Sequence, residues 1–211
     1  MPAVGSQRRS ARRRTRINSI LFWLLAVCSI EVAGYALVRY FGIPPAVGHF
    51  SEHLRLLQVH AAAGAVALLT GPWQFLTKFR QKHFVWHHWL GRVYLVGVLV
   101  GSLASLTLAG VSQEGWATHA GFGLLALVWL GTGWMAFYAA RAGHFAVHRQ
   151  WSVRNFSLTF AAATLRMELP LLLFAGHFSF HAAYITVAWL SWIPNLIFAE
   201  WWLRHSARRW F

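Results

Sequence analysis

The sequence predicts an all-α, polytopic membrane protein with six transmembrane helices, and three observations support this fold class. The chain has 211 residues, of which 57% are hydrophobic and 11% are charged, and its mean hydropathy is +0.46. This composition is too apolar for a soluble domain of that length. Six apolar stretches are long enough to cross a bilayer, which needs about 20 residues. A unit of about sixty residues also occurs twice, which indicates an internal repeat.

The connections between the apolar stretches are short, so we expect one transmembrane domain at residues 19–203, between basic segments at 1–18 and 204–211. The one cysteine, Cys28, lies in an apolar run, which excludes a disulfide framework and a Cys-x-x-Cys-His site for covalent haem. The spans, numbered 1 to 6 in chain order, are predicted at about Ile20 to Phe41, Leu54 to Thr77, Trp89 to Leu108, Trp116 to Ala139, Phe156 to Gly176, and Ala182 to Trp202.

Basic residues predict the orientation, because positively charged flanks stay in the cytoplasm. With a cytoplasmic N-terminus, sixteen of the nineteen lysines and arginines fall on the cytoplasmic side. The arginines between Arg8 and Arg16 then form a flank held against anionic lipid, which we favour over a nucleic-acid-binding arm. We therefore expect a multi-pass protein of the inner (plasma) membrane with both termini cytoplasmic. The expected partner is the lipid bilayer, and we expect no binding of nucleic acid.

The repeat is visible in two pairs of segments. His60-Ala-Ala-Ala-Gly64 reappears as His119-Ala-Gly-Phe-Gly123, and Phe84-Val-Trp-His87 reappears as Phe145-Ala-Val-His148. The two repeats cover about 54–112 and 113–176. Each is a helical hairpin of the same orientation, which predicts a pseudo-twofold axis along the membrane normal. Spans 2 to 5 would form a four-helix core, flanked by spans 1 and 6.

Four histidines keep their places in the repeat, and the predicted axis would bring them together in two pairs. His60 and His119 lie towards the outer face (the outer pair), and His87 and His148 lie at the inner face (the inner pair). Two imidazoles that meet across a bundle core are typical axial ligands of a b-type haem. We therefore predict two non-covalent haem b groups, with these four histidines as ligands of the haem iron.

A small residue follows each of these histidines by four positions, on the same helix face one turn away. A larger side chain there would collide with a porphyrin, although small residues also serve close helix packing in membranes. We expect these residues to line the cofactor sites, and they are Gly64, Gly91, Gly123 and Ser152.

Other interpretations of the histidines stay open. The histidines could line a proton or substrate path in a haem-free transporter or structural membrane subunit. His88 is a rival of His87, but a phenylalanine precedes His87 by three positions, as it does His148. A bare metal ion needs three or four converging ligands. The two pairs are too far apart for that, so the alternative metal site is a surface cluster of His83, His87 and His88.

Charged residues inside the membrane are costly and usually functional. Arg166 lies in span 5 at the predicted height of the outer pair, so we expect it to bind a haem propionate or an anionic reductant. The alternative is an ion pair with Glu168 or with Glu31. We expect Arg92 and Arg154 to contact lipid phosphates.

Three segments carry a resemblance to a known family. They are His60 through Gly71-Pro72-Trp-Gln-Phe75, His87-His88-Trp-Leu-Gly91-Arg92-Val-Tyr94, and His148-Arg149-Gln-Trp151-Ser-Val-Arg154 through Arg166. They resemble the bacterial membrane proteins grouped as domain-of-unknown-function family 2306, and the resemblance covers about residues 54 to 200. It implies a helical membrane fold and no particular activity.

The histidine positions are also similar to those of the cytochrome b-561 family, whose six-helix members hold two b haems between helices 2 and 4 and helices 3 and 5. This resemblance implies a di-haem b-type membrane cytochrome, a transmembrane oxidoreductase that transfers electrons across the membrane. A quinol or another small molecule would be the electron donor or acceptor. The sequence has no nucleotide-binding glycine motif. It is compatible with a homodimer.

Overall fold

A computed structural model describes the backbone of residues 3–42 and 52–206, and their side chains from residue 20 onward except residue 21. Within these ranges the chain is helical, without a β-strand. The arginine side chains between Arg8 and Arg16 and residues 207–211 lie outside the described part. Six helical segments of the described residues are long and apolar enough to cross a membrane, which confirms the predicted fold class. They are Phe22–Phe41, Leu54–Phe75, Phe84–Gly110, Trp116–Arg141, Phe145–Ala175 and Phe180–His205.

Three of the spans consist of more than one helical element. Span 2 continues from α2 into a 3₁₀ turn at Pro72–Phe75, and span 5 combines α6, α7 and a π-helical turn at Leu171–Ala175. Span 6 combines α8 and α9. The helices are α1 (Ala3–Phe41), α2 (Leu54–Thr70), α3 (Thr77–Lys82), α4 (Phe84–Gly110), α5 (Trp116–Arg141), α6 (Phe145–Thr159), α7 (Ala161–Pro170), α8 (Phe180–Leu190) and α9 (Ile193–Ser206).

Span 5 begins at Phe145, well before the predicted start at Phe156. The polar residues at its beginning lower its hydropathy, but they do not interrupt the helix. One of them, Arg154, is held in an ion pair with Glu200 of span 6, which compensates its charge. As a result, His148 is the fourth residue of α6, just as His87 is the fourth residue of α4. The repeat therefore holds at the level of helix positions.

Spans 2 to 5 form the expected four-helix core. Helix α2 packs against α4, α4 against α5, and α5 against α6, and α2 also contacts α6. Spans 2 and 4 therefore lie on one diagonal of the core, and spans 3 and 5 lie on the other. Span 1 packs on α2 and α7, and the two helices of span 6 pack on α5 and α6. Spans 1 and 6 thus both flank the core, as the sequence predicts.

Small residues allow the helices of the core to approach closely. A Cβ atom added at Gly97 would lie 2.9 Å from the backbone oxygen of Ala63, so only glycine fits between α4 and α2 at this point. A buried cluster joins spans 2 to 6, and it contains Ala67, Tyr94, Val98, Trp129, Phe156, Leu158, Ala161 and Trp192.

Candidate functional site

A buried group of polar side chains lies at the centre of the four-helix core. The hydroxyl of Tyr94 donates to Oδ1 of Asn155 at 2.6 Å and lies 2.8 Å from Oγ1 of Thr159. The indole N–H of Trp129 donates to Oγ1 of Thr159 at 2.8 Å, and Nδ2 of Asn155 donates to Oγ1 of Thr132 at 2.8 Å. We call these five residues the central polar network. Asn155 is fully buried, and its amide is satisfied at both ends, as a buried polar group must be.

The central polar network relates the two repeats directly. Tyr94 follows His87 by seven positions, and Asn155 follows His148 by seven positions, which places each polar residue on the face of its histidine two turns away. Because Tyr94 and Asn155 meet across the diagonal of the core, the faces of spans 3 and 5 that carry the inner pair are turned towards one another. This is the arrangement that the pseudo-twofold axis predicts.

Both histidines of the inner pair lie at the same end of the bundle. His87 and His148 are both half-buried, and their side chains lie within range of electrostatic interaction. Nδ1 of His148 lies 2.8 Å from the backbone oxygen of Ala136. Because a carbonyl only accepts, Nδ1 carries the proton and Nε2 has a free lone pair. A metal-binding histidine is commonly oriented in this way by a backbone carbonyl.

The imidazole of His87 lies against the side-chain amide of Gln74, which belongs to the 3₁₀ turn of span 2. When the amide nitrogen is directed at His87, it donates to Nδ1 at 3.1 Å and to the backbone oxygen at 3.2 Å. In this arrangement Nδ1 of His87 is an acceptor, so the proton lies on Nε2. Binding of a metal through Nε2 would therefore require the amide of Gln74 to turn over and accept from Nδ1.

The structure also separates His87 from its rival. His88 is exposed and packs on the ring of Phe84, with the ring centroids 4.2 Å apart. The side chain of His87 lies instead against Gln74. Of these two neighbouring histidines, only His87 is partly buried.

The outer pair is arranged differently. Nδ1 of His60 donates to the backbone oxygen of Gly101 at 3.0 Å, and Nε2 of His119 donates to the backbone oxygen of Ser112 at 2.6 Å. These two acceptors are eleven residues apart along span 3 and its end, which corresponds to about 16 Å of helix rise. The structure therefore does not bring His60 and His119 together. The space next to Gly101 is occupied by the indole of Trp129, which would lie 2.9 Å from a Cβ atom there.

The small residues near the four histidines have different surroundings. A Cβ atom at Gly64 or Gly123 would meet nothing within 4 Å, so both glycines border open space. A Cβ atom at Gly91 would lie 3.2 Å from Gln74, whose side chain occupies the position next to the inner pair. The hydroxyl of Ser152 donates to the backbone oxygen of His148 at 2.8 Å, within its own helix.

Arg166 lies within span 5, between spans 1 and 2. Its terminal Nη1 donates to the backbone oxygen of Ala162 at 2.8 Å, and its guanidinium lies 5.4 Å from the ring centre of Tyr35. Its Nε–H is buried without an acceptor, and neither Glu31 nor Glu168 forms an ion pair with it. His60 lies within range of electrostatic interaction with Arg166.

The structure also shows the contacts of the two arginines that were expected to bind lipid phosphates. Arg154, which was expected at lipid phosphates, instead pairs with Glu200 and stacks on Trp151 at 4.7 Å, because span 6 brings a carboxylate to it. Arg92 stacks on Trp89 at 5.0 Å. In the described part of the chain, no three histidine, cysteine or acidic side chains converge in a way that could hold a metal ion.

The central polar network and Gln74 were not singled out from the sequence. A signal for Tyr94 and Asn155 was present, because both are polar residues at the seventh position after a repeated histidine. Trp129, Thr132 and Thr159 gave no comparable signal. Only the packing of spans 3, 4 and 5 brings these three residues into contact with Asn155 and Tyr94.

The fold and these contacts define a polytopic helical membrane protein with a polar, histidine-bearing four-helix core. The chain matches the family described as predicted membrane protein (DUF2306) over residues 57–203, which is more than half of its length, and it therefore belongs to that family. No curated protein and no solved structure matches it significantly.

Proposed function

We propose that the protein is a b-type membrane cytochrome that binds two non-covalent haem groups and passes electrons across the membrane. The observation that carries this proposal is the inner pair. His87 and His148 lie on diagonal helices whose facing sides meet at Tyr94 and Asn155, so two partly buried histidines occupy the same end of a four-helix core. Bundle cores with facing histidines are suited to axial haem ligation.

The residues of the inner end fit an imidazole-ligated group. His148 already has the tautomer that leaves Nε2 available, because Ala136 accepts from Nδ1. His87 would reach the same tautomer when Gln74 offers its amide oxygen instead of its nitrogen. A haem iron ligated by two histidines changes between the ferric and ferrous states and so carries one electron at a time. The part of the chain is to hold the two rings at a fixed separation and to exclude water from the core.

The second haem of this proposal would bind to His60 and His119 at the opposite end. In its favour, Gly64 and Gly123 border open space, and His60 keeps Nε2 free because Nδ1 is bonded to Gly101. It would also require His119 to leave Ser112 and approach His60. The electron donor or acceptor would be a quinol or another small molecule from the lipid or aqueous phase.

The heights of the outer histidines favour a second candidate, a haem-free path for protons or a polar substrate. Polar groups follow one another through the described bundle, from His119 beside Ser112 to His60 beside Gly101, then to the central polar network and the inner pair. Histidines exchange protons near neutral pH, and polar chains inside membranes often serve transport.

A difference spectrum separates the two candidates. The full-length protein, purified in mild detergent, should show a sharp b-type α band after reduction with dithionite, and about two haems per chain by pyridine haemochrome analysis. The His87→Ala, His148→Ala double variant is the matched control and should keep at most the haem of the outer end. Protein that is folded and monodisperse but has no α band would contradict the cytochrome and favour the path.

The proposal also includes the orientation of the chain in an inner (plasma) membrane. We propose that both termini are cytoplasmic, because the basic residues cluster at the end of the bundle that also carries the inner pair. A reporter that is active only in the cytoplasm should give signal when it is fused after Ala139 or at the C-terminus. Signal from fusions at Gly48 or Gly115 would reverse the orientation and exchange the two ends.

A further inference from the structure

Arg166 is a cation inside a membrane span, and no acidic side chain of the described residues forms an ion pair with it. Its single described side-chain hydrogen bond goes to Ala162 of its own helix, and its Nε–H is buried without an acceptor. Glu168, two positions further along, does not compensate it, because the Oε2 atom of Glu168 is itself buried without a partner. A buried charge with neither a counter-ion nor full hydrogen bonding is costly, which indicates a partner from outside the chain.

The surroundings of Arg166 form a site between spans 1, 2 and 5. Val32, Leu68 and Ala163 pack together as a buried cluster, which closes the site towards the middle of the bundle. Tyr35 and Arg166 each lie three residues beyond this cluster along helices that run in the same direction. His60 lies eight residues before Leu68 on the antiparallel span 2, about 12 Å beyond the cluster on the same side.

The helix that carries Arg166 is irregular at this point. Pro170 has no N–H group, so the backbone oxygen of Arg166 lacks the donor that a regular helix would supply four residues later. The π-helical turn Leu171–Ala175 follows directly. Such wide turns occur frequently at functional sites of helices. The site therefore combines an unpaired cation, an irregular backbone and an aromatic ring on one side of the guanidinium.

We propose that Arg166 binds a carboxylate of a ligand that lies between spans 1, 2 and 5, with the ring of Tyr35 against the guanidinium. Planar guanidinium groups bind carboxylates through paired hydrogen bonds, and the unpaired Nε–H is one of the donors that this geometry uses. The carboxylate has two sources. In one, which rests on the cytochrome proposed above, it is a propionate of the outer haem beside His60. In the other, it belongs to a free anionic reductant.

The first arm of the test concerns the haem source. Full-length protein from haem-deficient cells would be titrated with haem b and with its dimethyl ester, in which both propionates are blocked. Wild type should bind haem b about tenfold more tightly than the ester, because a hydrogen bond to a charged group is lost. Arg166→Gln should lose this preference, whereas Arg92→Gln, a matched change at an exposed arginine, should keep it.

The second arm concerns the free anion, and it needs no haem. The thermal shift of the detergent-purified protein would be compared for 2,5-dihydroxybenzoate and for hydroquinone, which differ only by the carboxylate. Selective stabilisation by the carboxylated compound, lost in Arg166→Gln and partly retained in Arg166→Lys, would identify a free anion as the ligand. If no haem is ever bound, the cytochrome fails while this arm still decides the role of Arg166.

The inference would be overturned if neither preference depends on Arg166 in folded variants. It would also be overturned if native mass spectrometry shows an anionic lipid that is retained by wild type and lost from Arg166→Gln. In that case the arginine binds a phosphate from the bilayer and not a carboxylate.

Discussion

The inner and outer pairs of histidines are equivalent in the repeat, but they are not equivalent in the structure. At the inner end, His87 and His148 occupy the same position of their helices and lie within range of electrostatic interaction. At the outer end, His60 and His119 bond to carbonyls that are about 16 Å apart along span 3. The inner histidines therefore lie at similar heights in the bundle, whereas the outer histidines bond to carbonyls at different heights.

The cause of this difference lies in which helices meet. Spans 3 and 5 are joined across the core by Tyr94 and Asn155, and this contact sets the relative height of the two inner histidines. No comparable contact is present between spans 2 and 4 in the described residues, and the indole of Trp129 fills the space next to Gly101. Duplication thus keeps a residue in its place along a helix, but only a direct contact keeps two helices in register.

Loss of a complete haem at the inner end is the largest effect that we expect. His87→Ala and His148→Ala should each remove the same haem, and the double variant should lose no more than either single one, because both rings bind one iron. The measurements are the haem-to-protein ratio and a redox titration. His88→Ala is the matched control and should retain full haem content. Loss of different redox centres in the two single variants would contradict a shared inner site.

The corresponding changes at the outer end test whether the outer pair closes when haem binds. We expect His60→Ala and His119→Ala to remove one common haem, distinct in potential from the inner one, and to be additive with His87→Ala. Haem content and potentials decide this as well. If His119→Ala keeps both haems while His60→Ala loses one, then the separation seen in the structure persists and His60 has another partner.

A more local change should affect the outer end without disturbing the fold. Gly64→Leu and Gly123→Leu should remove the outer haem, because leucine would occupy the open space next to each histidine. Since nothing lies within 4 Å of a Cβ at either position, both variants should insert and remain monodisperse. Gly131→Leu is a matched control, because Gly131 also borders open space but lies far from His119 along span 4. Two haems in both test variants would mean that these glycines serve helix packing.

The sequence predicts most of the fold, because length, hydropathy and the repeat determine six spans and the flanked four-helix core. It places the start of span 5 too late, because the arginines of α6 lower the hydropathy of a helix that an ion pair to Glu200 compensates. The candidate site is predicted less completely. Periodicity gives the face of a helix on which His60 and His119 lie, but not the height at which two hairpins pack. That height follows from contacts such as Gly101 with Trp129.

A change at the hydrogen bond between Tyr94 and Asn155 should have a smaller effect. Tyr94→Phe removes the hydroxyl between Asn155 and Thr159 and leaves Oδ1 of Asn155 without its donor. We expect the free energy of unfolding to fall by about 1 kcal/mol, the size typical of hydrogen bonds between membrane helices. A denaturation series in detergent would measure it, with Tyr138→Phe, an exposed tyrosine of span 4, as the control. The midpoint potential of the inner haem should change while that of the outer haem stays constant.

The smallest effect should come from Gln74, which contacts His87 without being a proposed ligand. Its amide either donates to Nδ1 of His87, as in the described arrangement, or turns over and accepts from it. Only the second state leaves Nε2 of His87 free for iron, so haem binding should be accompanied by rotation of this amide. Gln74→Leu removes both states, and we expect unchanged haem content with a shifted potential of the inner haem alone. Gln74→Glu, which can only accept when ionised, should shift this potential in the direction that a more strongly oriented, more basic imidazole produces. Equal potentials in wild type and both variants would show that Gln74 only fills the space beside Gly91.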